Sequence, residues 1–205
     1  MTHRPHLDLD ELLAQARAGE AAALGQLLGR YRNYLTLLAR QQIGPRLQGK
    51  VDASDLVQET FLAAHRNFVL FRGSGERELV GWLRQILVTQ LALHVRRYLG
   101  TQRRDARLEQ QLADALEQSS AVLDRGLVDP ASSPSQRAAR RERVVLLADA
   151  LERLPADYRA VIVWRHLDGL PFADVAQRMG RSVESVKSLW ARALARLRCT
   201  LRDLP

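Results

Sequence analysis

The side chains with the most recognisable chemistry lie between positions 181 and 192, where hydroxyl groups alternate with cations. Such side chains can bond phosphate oxygens and the edges of bases. Ser185, Ser188 and Arg192 follow one another at steps of three and four residues, which places them on one face of a helix. We therefore expect DNA contacts at or near this face, from Arg181, Ser182, Ser185, Lys187, Ser188 and Arg192.

Two short helices must position these groups. Val175, Ala176 and Met179 have the spacing of one apolar helix face, and Gly180 is suited to end that helix. Ser182 can then cap a second helix, whose buried stripe we predict to be Val183, Val186, Trp190, Ala193 or Leu194, and Leu197. A plain helical hairpin would show the same apolar spacing. The small Ala176, the turn at Gly180 and the basic outer face favour a helix-turn-helix.

A second polar cluster opens a helix near position 52. Asp55, Gln58 and Glu59 group on one face, apart from an apolar face of Val57, Phe61, Ala64 and Phe68. Acidic residues at a helix N-terminus are favoured by the helix dipole. Taken alone, the cluster therefore favours a solvated face over a binding site.

The third group joins an aromatic residue to arginines beside a short loop of residues 72–76. A tryptophan and nearby guanidinium groups could accept an unstacked base and neutralise its backbone. The candidates for this contact are Trp82, Arg84, Arg96 and Arg97. Trp82 could equally belong to the core, in which case the arginines alone would contact DNA.

Charge and composition exclude several classes of protein. The net charge of +8 divides into +6 for residues 1–104, −4 for residues 105–134 and +6 for residues 135–205. Basic outer parts favour two nucleic-acid-facing modules. The single cysteine, Cys199, excludes a disulfide framework, and the five scattered histidines offer no metal-ligand spacing. With no catalytic motif, no signal-peptide core and no 18-residue apolar run, we expect a cytoplasmic non-enzyme without cofactor, metal or membrane insertion.

The pattern of Leu, Ala and Arg, without strand signals, predicts an all-α fold. We expect helices over about 8–43, softened at 18–20, and over 52–70 and 76–99. A second helical part should begin near Ser135 and pause at Leu154-Pro155. The expected domains are residues 1–100 and 136–205, joined by a flexible acidic linker over 101–135.

The order of these landmarks resembles a bacterial extracytoplasmic-function (ECF) sigma factor over about Leu12 to Leu201. The resemblance rests on the run DASDLVQETF at 52–61, a basic helix with Trp82, an acidic linker and a C-terminal helix-turn-helix. It implies a transcription initiation factor whose partners are core RNA polymerase, at the β′ clamp helices and β flap, and promoter DNA. Asp52, Asp55, Gln58 and Glu59 would then face the polymerase.

In that family, the helix with Trp82 opens the minus-ten promoter element and the helix-turn-helix reads the minus-thirty-five element. Three positions depart from the usual pattern: Val88 and Thr89 stand where arginine and asparagine are common, and Pro171 replaces a hydroxyl cap. An anti-sigma factor or a kinase stays open as a further partner. The acidic linker could be a plain spacer or could follow a path through the polymerase.

Two other functions stay open from the residues alone. One is a classical DNA-binding regulator with an N-terminal sensor or dimerisation domain, which predicts half-site symmetry. The other is an anti-sigma or scaffold protein that binds only protein. The run at 52–61 argues against the first, and the basic outer face of the last helix argues against the second.

Overall fold

The computed structural model describes residues 9–43, 49–99, 106–125 and 144–203, and all regular structure within those ranges is helical. The prediction of an all-α fold is confirmed. The chain divides into two compact units, Met1–Leu116 and Glu117–Pro205. Each unit is described separately below.

The first unit is built from five helices, within the described residues, that precede position 100. They are α1 (Leu9–Arg17), α2 (Ala21–Arg30), α3 (Arg32–Gln42), α4 (Ala53–Asn67) and α5 (Glu76–Leu99). A 3₁₀ turn, Phe68–Leu70, ends α4. Helix α4 packs against both α3 and α5. The most deeply buried side chains of this unit are mainly leucines, with Tyr31 among them: Leu27, Tyr31, Leu35, Leu38, Leu56, Leu79, Leu83, Leu87 and Leu91.

The helix predicted over 8–43, softened at 18–20, is divided into three by two breaks: the one at Gly19 lies at the predicted softening, whereas the one at Tyr31 was not predicted. At Gly19 the backbone is left-handed, with φ of 94°, a conformation that glycine adopts without steric cost. At Tyr31 the backbone leaves the helical region, with φ of −98° and ψ of 2°. The Tyr31 ring is buried, so its packing outweighs the gain from continuing a helix.

The segment expected as a flexible linker contains α6 (Ala106–Arg125), and the division between the two units falls inside this helix. Its sequence, ARLEQQLADALEQSSAVLDR, spaces leucine and alanine at helical intervals between charged residues. The predicted helix start near Ser135 lies outside the described residues.

The second unit carries α7 (residues 144–152), α8 (Ala156–Ile162), a π-helical turn (Val163–Leu167), α9 (Phe172–Met179) and α10 (Val183–Arg202). Pro155 precedes α8 and marks the predicted pause. Helix α10 packs against α8 and α9. The predicted stripe of α10 is confirmed at Val186, Ala193 and Leu197, which are buried. It is wrong at Val183 and Trp190, which are only half-buried, and it missed the buried Leu189.

Candidate functional site

Helices α9 and α10 form a tight turn whose geometry follows from Gly180 and Ser182. Gly180 has φ of 63°, and the backbone N–H of Arg181 donates to the Ala176 carbonyl, closing α9. The Ser182 hydroxyl accepts a hydrogen bond of 3.2 Å from the backbone N–H of Ser185. This is the predicted cap of α10, and it commits the Ser182 side chain to the helix end.

The outer face of α10 is open to solvent at the predicted positions. Ser185, Ser188 and Arg192 are all exposed, and the Arg192 Nε donates a 3.4 Å hydrogen bond to the Ser188 carbonyl. Within the described part of the chain, no ion pair neutralises Arg192. This face can therefore present two hydroxyls and a full positive charge to a partner.

The other two predicted cations of this helix are already paired. The Arg181 guanidinium lies 2.6 Å from the Asp157 carboxylate of α8. The Lys187 ammonium lies 2.9 Å from the carboxylate of Glu184, one turn earlier on α10. All four side chains are at least partly exposed. Contact with phosphate by Arg181 or Lys187 would therefore compete with an existing ion pair.

An aromatic group fixes α10 against the π-helical turn and α9. Trp190 Nε1 donates a 2.9 Å hydrogen bond to His166 Nε2, and the two rings stack at 5.7 Å. The Phe172 ring meets Trp190 edge-on at 5.6 Å. Burial and the nearby Arg165 charge lower the pKa of His166, which keeps its ring neutral and able to accept the Trp190 proton. The sequence did not indicate this contact, since Trp190 was expected in the core.

The polar face of α4 has a different role at each predicted residue. The Asp52 carboxylate caps the helix by accepting from the Ser54 backbone N–H at 2.7 Å and from its hydroxyl, and these bonds lower its pKa. Asp55 and Gln58 are exposed. The Glu59 carboxylate is hydrogen-bonded to His94 of α5. Of the four, Asp55 and Gln58 thus project into solvent.

An exposed leucine extends this face. Leu62, seven residues after Asp55 on α4, has 56% of its surface exposed. Positions 55, 58, 59 and 62 share one side of the helix. Leu62 adds an apolar group to this otherwise polar face. The sequence pattern did not indicate Leu62, because it carries no charge.

The predicted DNA-contacting residues of α5 are not brought together: Trp82 belongs to an aromatic group near the start of the helix, whereas Arg96 and Arg97 lie in its last turn. The Trp82 ring contacts Phe71 at 5.1 Å and Phe68 at 6.1 Å, between centroids, and is half-buried. Trp82 therefore packs in the core with part of its surface open. Arg84 and Arg96 are half-buried and Arg97 is exposed.

The loop of residues 71–75, which joins α4 to α5, is held from outside by two residues. The Arg17 guanidinium of α1 donates to the Gly73 carbonyl, and the Tyr31 hydroxyl donates to Glu76 at 3.1 Å. A Cβ at Gly73 would lie 2.3 Å from the Glu78 Cβ, so this position requires glycine. Burial and the Glu76 carboxylate raise the pKa of Tyr31, which keeps the phenol protonated as a donor.

Among the residues that the structure describes, no group of three His, Cys, Asp or Glu side chains could hold a metal ion. Across the same ranges, no helix combines the length and apolar character needed to cross a membrane.

Comparison with known proteins adds a family to this geometry. Residues 145–197 match the family model for Sigma-70, region 4. The chain is 31% identical to the ECF RNA polymerase sigma factor BldN of Streptomyces coelicolor, over 98% of this chain and 70% of BldN. It is 32% identical to the ECF RNA polymerase sigma factor SigM of Mycobacterium tuberculosis, over 91% of this chain and 81% of SigM.

A solved structure of CnrH in complex with the cytosolic domain of CnrY aligns with 97% of this chain and 100% of that one, at 25% identity and a TM-score of 0.36. The CnrH sequence of Cupriavidus metallidurans is 31% identical over 95% of each chain. Together with the capped helix-turn-helix inside residues 145–197, these relatives show that the chain belongs to the ECF sigma factors, transcription initiation factors that direct core RNA polymerase to promoters.

Proposed function

We propose that this sigma factor divides its work between three surfaces. The polar face of α4, with Asp52, Asp55, Gln58 and Glu59, binds the β′ clamp helices of core polymerase. The surface of α5, with Trp82, Arg84, Arg96 and Arg97, holds the opened minus-ten element. The outer face of α10, with Ser185, Lys187, Ser188 and Arg192, reads the minus-thirty-five element together with Arg181, and Ser182 acts through the helix that it caps.

One observation carries the proposal: the solvent-facing row of Ser185, Ser188 and Arg192 on a capped helix of a helix-turn-helix. Such a helix enters the major groove with its N-terminal residues at base edges. Hydroxyls and a guanidinium can there bond bases and phosphates. Arg181 and Lys187 would exchange their carboxylate partners for DNA phosphates on binding.

The assignment of the α4 face to the polymerase is supported by the exposed Asp55, Gln58 and Leu62. Asp52 would support polymerase binding indirectly, because it caps the helix that carries this face. Glu59 would contact the polymerase with the exposed part of its carboxylate while it stays bonded to His94. We assign residues 1–100 to polymerase and minus-ten binding, 136–205 to the minus-thirty-five element and β flap, and 101–135 to the connection.

We further propose that the chain acts in the cytoplasm, beside the polymerase, and performs no chemistry itself. Its contribution is binding energy: tethering two weak DNA-binding modules to one polymerase raises the effective concentration of each at a correctly spaced promoter. An anti-sigma factor or a kinase would restrain it by covering or modifying one of these surfaces.

The test is run-off transcription with core polymerase and a pool of genomic promoter fragments. The wild-type chain should produce discrete transcripts that core polymerase alone does not produce. Permanganate should then reveal unpaired thymines near the minus-ten element of the same fragments. Unchanged promoter opening by a variant with alanine at 82, 84, 96 and 97 would overturn the assignment of α5, and the absence of any transcript would overturn the proposal as a whole.

A further inference from the structure

A pair of stacked rings, His166 and Trp190, belongs to none of the three surfaces proposed above. Trp190 Nε1 donates a 2.9 Å hydrogen bond to His166 Nε2 in the π-helical turn, and the ring centroids are 5.7 Å apart. Trp190 follows Ser188 by two residues and precedes Arg192 by two, and two residues correspond to a rotation of about 200° around a helix. The hydrogen bond therefore holds α10 from the side opposite its outer face.

This bond fixes an angle that the other packing of α10 does not fix. Val186, Leu189 and Ala193 of this helix are buried, and burial of apolar surface is a non-directional force. A hydrogen bond, in contrast, weakens steeply when its distance or angle changes. The bond of Trp190 thus selects one rotation of α10 about its axis, and this rotation sets where the outer face points.

The histidine that accepts the bond lies in a turn of uncommon geometry. The Asp168 backbone N–H donates at 3.0 Å to the carbonyl of Val163, five residues earlier, which is the π-helical pattern. The Leu170 N–H donates at 2.9 Å to the Trp164 carbonyl and closes the turn. Turns of this kind are rare and frequently occur at functional sites. The backbone therefore fixes the place of the His166 ring against α10.

The hydrogen bond requires a neutral His166 ring. A neutral imidazole has one nitrogen that donates and one that accepts, whereas a protonated imidazole has two donors. Protonation therefore removes the acceptor and places the N–H groups of His166 and Trp190 against each other. Part of the His166 surface is exposed, so a proton reaches the ring from solvent without unfolding of the chain.

The surroundings of the ring favour its neutral form near pH 7. Burial and the neighbouring Arg165 charge lower the pKa of His166. The Arg165 guanidinium is held 5.0 Å from the centroid of the Phe172 ring and donates at 3.3 Å to the Leu170 carbonyl. Helices α9 and α10 present uncharged rings to this site, those of Phe172 and Trp190.

Nearby charged side chains of the turn, α8 and α9 interact with groups other than His166. These pairs are Asp168 with Arg178, Asp157 with Arg181, and Arg159 with Glu152. Arg165 is therefore the charge that acts on the ring, and it opposes protonation.

We propose that His166 is a positioning residue for promoter recognition: its neutral ring holds Trp190 so that α10 presents its outer face to the minus-thirty-five element, and protonation of the ring weakens promoter binding. The proposal rests on the reading of that element by α10 proposed above. When only the bonded form presents the face correctly, the apparent affinity falls with the fraction of molecules that have the bond. Promoter selection is thereby sensitive to acid.

The test is fluorescence anisotropy of a labelled duplex promoter, titrated with holoenzyme at pH 7.5 and at pH 5.5. His166→Gln is the conservative variant, because its amide oxygen can accept the Trp190 proton at either pH and does not titrate. His166→Ala has no acceptor at either pH. His65→Gln is the matched control, since it removes an exposed histidine from α4 in the first unit.

At pH 7.5, the wild type and His166→Gln should bind the promoter equally, and His166→Ala should bind about threefold to tenfold more weakly, the loss expected for one hydrogen bond. At pH 5.5, wild-type affinity should approach that of His166→Ala, whereas His166→Gln should keep its advantage over His166→Ala. His65→Gln should follow the wild type at both pH values.

Nuclear magnetic resonance of the ¹⁵N-labelled full chain observes the bond itself. The chain has three tryptophans, and Trp190→Phe identifies the indole N–H signal of Trp190. This signal should move between pH 7.5 and 5.5 in the wild type and stay in place in His166→Gln. Thermal unfolding at both pH values should confirm that every variant is folded.

An affinity ratio between the wild type and His166→Gln that is the same at both pH values would overturn the proposal. A wild-type affinity that rises at pH 5.5 relative to His166→Gln would also overturn it, because the protonated ring would then be a phosphate contact. A promoter with an altered minus-thirty-five element separates the two levels. Selective wild-type binding at pH 7.5 with a constant ratio rejects the role of His166 alone, whereas unselective binding rejects the function on which it rests.

Discussion

The carboxylate of Glu59 on α4 lies 2.7 Å from Nε2 of His94 on α5, and this bond joins two of the proposed binding surfaces. The His94 side chain is 12% exposed and stacks on Tyr98 at 6.2 Å, whereas Glu59 is 42% exposed. The Glu59 carboxylate is therefore hydrogen-bonded to His94 and is still exposed enough to contact a partner. Asp55, one turn earlier on the same helix, is exposed without such a bond.

Charge reversal at Asp55 and at Glu59 should have different consequences. Asp55→Lys should weaken binding to core polymerase and reduce the free energy of unfolding by less than about 1 kcal/mol, the usual size of a helix-dipole effect. Glu59→Lys should weaken the same binding and also destabilise the chain by about 1–3 kcal/mol, since the partly buried His94 ring loses its hydrogen-bond partner. Pull-down with core polymerase and thermal unfolding measure the two effects.

The matched control is Asp10→Lys, because Asp10 is exposed in the first turn of α1 and shares the dipole contribution of Asp55. It should retain polymerase binding. If Asp10→Lys and Asp55→Lys lower polymerase affinity equally, the α4 face has no special role.

Arg192 and Arg181 should differ as DNA ligands. Arg192→Ala should weaken promoter binding by the holoenzyme by about 1–3 kcal/mol if it reads a base, with relaxed specificity at one position. Arg181→Ala should have a smaller effect, since its guanidinium is already paired with Asp157. Electrophoretic titration on a promoter and on single-base variants distinguishes the two.

Arg198→Ala serves as the control for Arg192, because Arg198 is exposed on α10 away from the Ser185–Ser188–Arg192 face. Unchanged promoter selection in a variant with alanine at 181, 182, 185, 187, 188 and 192 would show that α10 is not the reader.

Gly180→Ala should destabilise the helix-turn-helix through the backbone alone. A Cβ at Gly180 would contact no atom within 4 Å. A residue with a side chain is nevertheless strained at φ of 63°, and this strain should lower the free energy of unfolding by about 1–2 kcal/mol. Gly25→Ala, in the interior of α2 with the same open space, should instead stabilise the chain by roughly 0.5–1 kcal/mol. Opposite signs in thermal unfolding are expected, and a loss of stability for both variants would contradict the account of Gly180.

Stability should decrease as the pH falls below about 6.5, through His166. Burial and Arg165 lower the pKa of His166 in the folded chain. As the pH falls from 6.5 towards that lower pKa, His166 is therefore protonated in the unfolded chain before it is protonated in the folded chain. This protonation stabilises the unfolded chain and reduces the free energy of unfolding. Above 6.5 the contribution is constant. His166→Phe keeps a ring on Trp190 without titrating, so the difference between wild-type and variant melting temperatures should shrink or change sign below pH 6.5.

Burial raises the pKa of Asp168, and this group acts in the opposite direction. Its effect is common to the wild type and to His166→Phe, so the difference between them isolates His166. A difference that does not depend on pH between 5 and 7.5 would exclude the contribution of His166.

The sequence predicted the elements whose signals are local. Gly180, Ser182 and Pro155 each act on their own few residues, and the structure has the expected turn, cap and pause at these positions. The break at Tyr31 was not predicted, because this side chain is held by packing and by Glu76, which is 45 residues away.

Contacts between distant positions explain the other differences. Trp190 was expected in the core because its spacing fits the apolar stripe, but a hydrogen bond to His166 keeps it half-exposed while Leu189 is buried instead. Likewise the sequence groups Glu59 with neighbouring polar residues on one helix face, whereas in the fold its carboxylate is hydrogen-bonded to His94, 35 residues away. Helical periodicity predicts the buried face of a helix with an error of about one residue. Tertiary contacts decide which of two adjacent residues, such as Leu189 and Trp190, is buried.

The central claim is that this sigma factor selects promoters only as part of a polymerase complex. Its exposed recognition face is a few residues long, and a single small module rarely provides a tight and specific DNA interface. Gel-shift titration of a duplex promoter should show weak, salt-sensitive binding by the chain alone and tight, sequence-specific binding once core polymerase is added. Tight binding of a palindromic duplex by the chain alone would contradict the account and favour a classical DNA-binding regulator.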